Sequence, residues 1–351
     1  MAMDSFGTAR CQLDLESHGK RAGFIDVDHS DNRLAFSAIR VPVGVICGGS
    51  GPTVLLTAGN HGDEYEGQVL LHRLMQTLTP DDVIGRLILL PALNLPAVLD
   101  RARVSPLDGG NMNRSFPGAA DAGPTRAIAG FVDRFLIPKA DVILDFHSGG
   151  TATEYVDCGF LGLGANAALN RQNLQLADWF GAPFTMICPI DGSGGDFDTA
   201  AHRQGVRFLS CELGGMGRFS PSSFCIGWEG SLRVMKALGA LRPEACGATP
   251  KAPESRFIDI AAGGVHLSAE CHGLAEVDLM PGDAVTRGDE IGRIHDLHRF
   301  AEQPSPLRAP QDGIMAVRRR NPLVAPGDHL CQISTVISRR DLLNRIGEEP
   351  G

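Results

Sequence analysis

Apolar residues along this chain fall into runs of two kinds. Short apolar runs at 53–58 (TVLLTA, β-branched), 86–91 (RLILLP), 140–146 (ADVILDF), 184–188 (FTMIC) and 206–212 (VRFLSCE) are continuous rather than alternating. Strands covered on both faces of a parallel sheet read this way. Between them, residues 66–78 carry Val69, Leu70, Leu71, Leu74, Met75 and Leu78 at helical spacing. Further helices are predicted over 125–136, 170–180 and 228–241. From residue 41 to about 241 strands and helices alternate, which implies an α/β fold with a parallel or mixed sheet and helices on both faces. Residues 1–40 form a polar lead-in that offers edge strands. Residues 101–124 follow neither period, and an unstructured stretch of that length inside a compact domain reads as functional.

A composition break at 243–253 (PEACGATPKAP) marks a domain boundary. Beyond it, short runs are separated by turns at Pro281-Gly282-Asp283, Arg287-Gly288-Asp289, Gln311-Asp312-Gly313 and Pro326-Gly327-Asp328. Such spacing predicts a small all-β unit. The expected organisation is therefore a catalytic α/β domain over 1–242 and a β domain over 254–340.

The strand ends carry the candidate chemistry. His61 follows the first run in GNHGDEYEG, with Glu64 three residues on at the start of the helix; His147 ends the run VILDFH. In an open α/β sheet, ligands collect at the carboxyl edge of the strands. Two imidazoles and one carboxylate leave a corner of a tetrahedral zinc ion for a reactive water, so His61, Glu64 and His147 are expected to hold one Zn2+ per chain. Asp145 shares the strand face of His147 and is a candidate hydrogen-bond partner for it. Glu212 ends the strand VRFLSCE just before Gly214 and Gly215, at the same edge. It is the expected general base, a partly desolvated carboxylate tuned upward towards neutrality. His18, His29, His202, His266, His272, His295, His298 and His329 read as solvated surface, and His72 as a helix residue that packs or faces solvent.

Composition narrows the class. The chain has 351 residues and a net charge of −9, with a pI near 5.6. That balance argues against nucleic acid and anionic membranes as partners. No apolar run reaches 18 residues and the amino terminus lacks a secretory profile, so a cytoplasmic chain is expected. Nine Cys without CxxC pairs predict reduced core thiols.

Four motifs in order, GNHGDEYEG, NMNRSFPG (111–118), DFHSGG (145–150) and CELGG (211–215), resemble the succinylglutamate desuccinylase and aspartoacylase family. The resemblance is nearest to members that deacetylate N-acetyl-2,4-diaminobutyrate in ectoine breakdown. It implies a zinc-carboxypeptidase-like fold and a zinc amidohydrolase that removes an acyl group from a small N-acyl amino acid. It also implies that Glu212 is the catalytic Glu and that Asn113 and Arg114 hold the substrate. Arg103 could polarise the amide carbonyl oxygen, and Arg101 is a weaker candidate. Family members commonly carry Asp two residues before the Asn-Arg pair, orienting the first zinc His, whereas this chain has Asn111, whose amide can accept the N–H but brings no charge. The tail is similar to a biotinyl or lipoyl carrier barrel. No Lys follows Lys251, so the unit is expected to shape the mouth of the site or an oligomer contact. A homo-oligomer is expected.

The Gly-rich loop 189–200 (PIDGSGGDFDTA) offers Asp191, Asp196 and Asp198 with no Lys or Arg. It is expected either to favour a cationic substrate side chain or to be a set of solvated turn residues. Two other classes stay open on sequence: a zinc metallocarboxypeptidase and a non-catalytic metal-binding protein.

Overall fold

The computed structural model describes residues 4–30, 35–190, 192 and 194–347. Four antiparallel strands open the chain: β1 (Asp4–Phe6), β2 (Ala9–Cys11), β3 (Gly19–His29) and β4 (Ser37–Cys47). β3 alternates between exposed and half-buried positions along most of its length, because one of its faces meets solvent. The last five residues of β4 are all buried where it enters the main sheet. This lead-in is thus longer and more regular than its polar composition suggests.

The α/β part follows with β5 (Thr53–Ala58), α1 (Glu66–Thr77), β6 (Arg86–Leu90), α2 (Leu95–Asp100), α3 (Pro124–Phe131), β7 (Val142–His147), β8 (Thr153–Tyr155) and β9 (Cys158–Leu163). It is completed by α4 (Ala167–Phe180), β10 (Phe184–Pro189), α5 (Phe197–Arg203), β11 (Arg207–Glu212) and α6 (Pro221–Ala237). The sheet runs β4-β6-β5-β7-β11-β9-β10. Its centre is parallel, while β4 and β9 run antiparallel to β6 and β11. Every residue of β5 and β7 is buried, as their unbroken apolar sequences require. One face packs on α3 and on Phe197 of α5. The other packs on α1, α4 and α6, where Leu70 and Leu74 are fully buried. Burying such a side chain is worth roughly 1.5–3 kcal/mol.

Helix ends follow caps rather than apolar spacing. α4 starts ahead of residue 170 because Asn166 accepts the amides of Ala168 and Leu169, and it stops at left-handed Gly181. α6 starts at Pro221 behind the Ser220 cap, well before residue 228. The segment predicted as one helix over 125–136 is α-helical only to Phe131 and passes into a π-helical turn, Val132–Leu136. α2 and α5 are short helices outside every predicted helical run.

Eight strands and a helix end the described chain: β12 (Arg256–Ser268), β13 (Gly273–Val277), β14 (Ala284–Val285), β15 (Glu290–Asp296), β16 (Ser305–Arg308), β17 (Gly313–Arg319), β18 (Leu323–Val324), β19 (His329–Ile337) and α7 (Arg339–Gly347). β12 pairs in parallel with β10, so the large sheet continues as β10-β12-β19-β17-β14. A separate sheet, β16-β15-β13-β18, closes over an apolar cluster around Met315, Leu330 and Ile333. β17 also reaches back to β8, setting Val317 opposite Tyr155. All nine cysteines are free and five are buried. No helix among the described residues is long and apolar enough to cross a membrane.

Candidate active site

β5, β7 and β11 are neighbours, so their carboxyl ends deliver the candidate residues to one place. His147 ends β7, and Glu212 lies beside it in register on β11. His61 and Glu64 sit in the connection between β5 and α1. His61, Glu64 and His147 are 3–6% exposed, and the imidazole rings are 5.1 Å apart between centroids.

His61 Nδ1 lies 2.7 Å from Glu64 Oε1, and His147 Nδ1 lies 2.9 Å from Glu64 Oε2. The opposite ring nitrogens are occupied: His147 Nε2 donates to Asp145 Oδ2 at 2.8 Å, and His61 Nε2 to Asn111 Oδ1 at 3.3 Å. With both Nε2 atoms protonated, both Nδ1 lone pairs face the carboxylate. Asp145 is itself fixed by the Thr57 hydroxyl at 2.6 Å. Burial raises the Glu64 carboxyl, but the two imidazoles outweigh it and hold it well below the usual range. Burial likewise lowers His147, and Asp145 and Glu64 overcome it to raise the imidazole.

The donor set fits a divalent metal. One ligand atom from each residue lies within 4.8 Å of the others, and donors about 2.0–2.2 Å from a common zinc stand roughly 3.4 Å apart in tetrahedral geometry. Two neutral imidazoles with hydrogen-bonded outer nitrogens and one carboxylate are a borderline-soft site of the kind zinc takes.

Glu212 is enclosed beside this set, with Oε2 buried and unpartnered among the described residues. Burial, then the charge of Glu64, pushes its carboxyl up to about 8, although His147 and Arg103 pull the other way. A carboxylate so placed can accept and return a proton near neutrality. The close approach of its loop explains the motif glycines. A side chain at Gly215 would put Cβ 2.3 Å from Thr153 O and 2.9 Å from Gly149 Cα, so the DFHSGG and CELGG turns pack backbone on backbone.

A cavity of about 290 Å3 opens over these groups. Arg103 and Arg114 line it, both more than half exposed at the side chain, and Arg103 Nη1 is 3.6 Å from Glu64 Oε1. Asn113 lines it too, with its side-chain oxygen accepting from the Phe197 amide at 2.9 Å. The stretch 101–124 is not featureless: Met112–Arg114 is a 3-10 turn capped by Asn111. Gly195 packs against it so tightly that a Cβ there would be 2.4 Å from Arg114 O. Arg101, by contrast, is the left-handed cap of α2 and does not line the cavity.

The acidic loop divides. Asp196 and Asp198 both line the cavity, but only Asp196 forms an ion pair there, with Arg114; Asp191 lies outside the described residues. His202, expected at the surface, is instead half-buried over Gly164 with both ring nitrogens enclosed. Sequence reasoning missed Tyr155, Phe160, Cys188, Ser210, Ile260 and Gln332 on the cavity wall. Ser210 could have been found from its two-residue offset to Glu212 on β11. Ile260 and Gln332 come from β12 and β19, joined by a 2.9 Å bond from Gln332 Nε2 to Ile260 O, so the C-terminal strands wall the site.

Residues 50–238 match the Succinylglutamate desuccinylase/Aspartoacylase catalytic domain. Over 326 residues the chain is 38% identical to an N-alpha-acetyl-L-2,4-diaminobutyric acid deacetylase of Halomonas elongata, covering 93% of this chain and 94% of that one. A succinylglutamate desuccinylase from Silicibacter sp. TM1040 superposes with a TM-score of 0.87 at 35% identity, covering 93% of this chain and 98% of that one. The product-bound ectoine utilization protein EutE (DoeB) from Ruegeria pomeroyi does so with a TM-score of 0.87 at 34% identity, covering 94% and 99%. The domain match spans more than half of the chain and contains the His-Glu-His cluster and Glu212, so the chain belongs to the succinylglutamate desuccinylase/aspartoacylase family and is an amidohydrolase.

Proposed function

We propose that this protein is a zinc-dependent deacetylase that frees the amine of a small N-acetylated amino acid, with N-acetyl-2,4-diaminobutyrate the favoured substrate. The carrying observation is the buried His61-Glu64-His147 set with Glu212 beside it under a small cavity. Likeness to the Halomonas elongata deacetylase along nearly the whole of both chains supports the choice of acyl group and substrate. The site is of the zinc-carboxypeptidase type, but a cavity of about 290 Å3 walled by Ile260 and Gln332 lies at the small end of ligand pockets, about 300–1,000 Å3. It favours a single amino acid derivative over a peptide.

When bound, zinc supplies a Lewis acid and brings the pKa of a coordinated water to about 7. His61, Glu64 and His147 would hold it, and Asp145 and Asn111 fix the ring orientations. Glu212 takes the proton from the attacking water and passes it to the leaving nitrogen, a task that its burial-raised carboxyl suits. Arg103 donates to the carbonyl oxygen as negative charge builds there. Arg114 and the Asn113 amide group anchor the substrate carboxylate. Acetate release from a panel of N-acyl amino acids by zinc-loaded protein tests this reading. Turnover confined to N-acetylated amino acids is expected, and turnover of peptides with none of these would overturn it.

A further inference from the structure

Four carboxylates line the cavity, and three already have an assignment there. Asp145 holds His147 and Thr57, Asp196 is neutralised by Arg114, and Glu212 serves the reacting centre. Asp198 is left over. Its carboxylate accepts the Thr199 amide at 2.7 Å, and no cationic side chain forms an ion pair with it among the described residues. Phe197, stacked on Phe116 with centroids 4.7 Å apart, pins the start of α5 and so fixes where Asp198 sits. The side chain lies over β9, where only glycine leaves room. A Cβ at Gly162 would stand 3.2 Å from Asp198 Oδ2 and 2.6 Å from Ile190 Cδ1. Phe160, Cys188 and Ile260 make the same wall largely apolar.

A half-buried carboxylate without an ion-pair partner, set against a largely apolar wall, is costly. Burial pushes the Asp198 carboxyl up to about 6, and the charges of Asp196 and Asp145 add to the rise. The expense is relieved when a cation enters the cavity. The two guanidinium groups and the Asn113 amide supply donors for an anionic group and a carbonyl, whereas Asp198 supplies the complementary acceptor for a positive one.

We propose that Asp198 is the specificity-determining residue for the deacylation, pairing with an ammonium on the side chain of an Nα-acylated diamino acid. This rests on the deacylase reading. It splits the acidic loop into two tasks: Asp196 restrains Arg114, and Asp198 selects charge. The small cavity suits an ammonium on a short chain better than the long arm of a lysine derivative.

The experiment compares kcat/KM of zinc-loaded protein on Nα-acetyl-L-2,4-diaminobutyrate and on its neutral analogue Nα-acetyl-L-2-aminobutyrate. The parent should prefer the cation at least tenfold. Asp198→Asn should lose about 10- to 100-fold on the cationic substrate, the worth of one charge-assisted hydrogen bond, and change less than threefold on the neutral one. Asp198→Ser removes the charge independently and should behave alike. Asp196→Asn should leave the cation-to-neutral ratio within threefold, whatever happens to the absolute rates. Equal losses on both substrates, or no preference in the parent, would overturn the assignment. Calorimetric binding of the free products, 2,4-diaminobutyrate against 2-aminobutyrate, reads Asp198 without turnover. Tighter diamine binding that Asp198→Asn abolishes supports the pairing, and equal affinities sink it. Failure to hydrolyse any N-acyl amino acid would count against the deacylase reading instead.

Discussion

Replacing Asn111 by Asp should tighten metal binding, by an amount that can be worked from the geometry. The two imidazoles are held unequally: Asp145 accepts from His147 Nε2 at 2.8 Å, while Asn111 Oδ1 is 3.3 Å from His61 Nε2 and also accepts the Asn113 amide at 3.0 Å. A carboxylate at 111 would shorten the contact and make the His61 ring a stronger donor. It would lie roughly 6 Å from a dication on the far ring nitrogen, where the direct attraction at an effective dielectric of about 20 is about 5 kcal/mol. Desolvation and repulsion from Glu64 cancel most of it. Outer carboxylates of this kind typically change metal affinity about 10- to 100-fold, or about 1.4–2.7 kcal/mol. Competition against a chromophoric chelator at fixed pH should show zinc held tighter in Asn111→Asp by that factor. Unchanged or weaker affinity in a folded variant would refute the view that His61 ligates through Nδ1 with its Nε2 on residue 111.

Glu212→Gln should lower kcat about 10^2- to 10^4-fold with one zinc per chain retained; activity within tenfold of the parent would remove Glu212 from proton transfer. For Asp198, whose carboxyl is raised from its ordinary 3.8 to about 6, the protonated form is the one that favours folding. Its contribution is full below about pH 4 and is lost as pH rises through about 6. Metal-free Asp198→Asn should therefore be more stable than the parent at pH 8, by about 1–3 kcal/mol in urea unfolding, and match it at pH 4; a less stable variant at pH 8 would contradict the uncompensated charge. Gly67→Ala places a Cβ 2.3 Å from Phe146 Cβ and 3.1 Å from Ala58 Cβ, so α1 must lift from the sheet, costing about 1–3 kcal/mol. Calorimetry should record a lower Tm together with weaker zinc binding, because Glu64 sits just before that helix.

The central strands were legible because burial on both faces leaves unbroken apolar runs, and the metal residues because each sits at the carboxyl end of such a run or at the helix start behind it. Helix starts were not, since Asn166 and Ser220 fix them by capping a few residues ahead of the apolar stripe. α5 was hidden in a segment whose Gly and Asp content reads as turn. Asp196 and Asp198, two residues apart, look equivalent in sequence; both line the cavity, and only the fold pairs Asp196 with Arg114 and leaves Asp198 without an ion pair among the described residues. Tyr155, Ile260 and Gln332 were beyond reach for another reason. β17 and β19 bring the chain back to the site after more than 160 residues, through pairings such as Val317 with Tyr155, and local periodicity carries no record of such contacts.

The most direct measurement is X-ray absorption at the zinc edge on the purified, zinc-loaded chain, repeated on His147→Ala. One zinc per chain is expected, with nitrogen and oxygen neighbours at about 2.0–2.2 Å, two of them imidazoles and none of them sulfur, and loss of metal and acetate release together in the variant. Zinc retained at full strength without His147, or a first shell containing cysteine sulfur, would contradict that expectation.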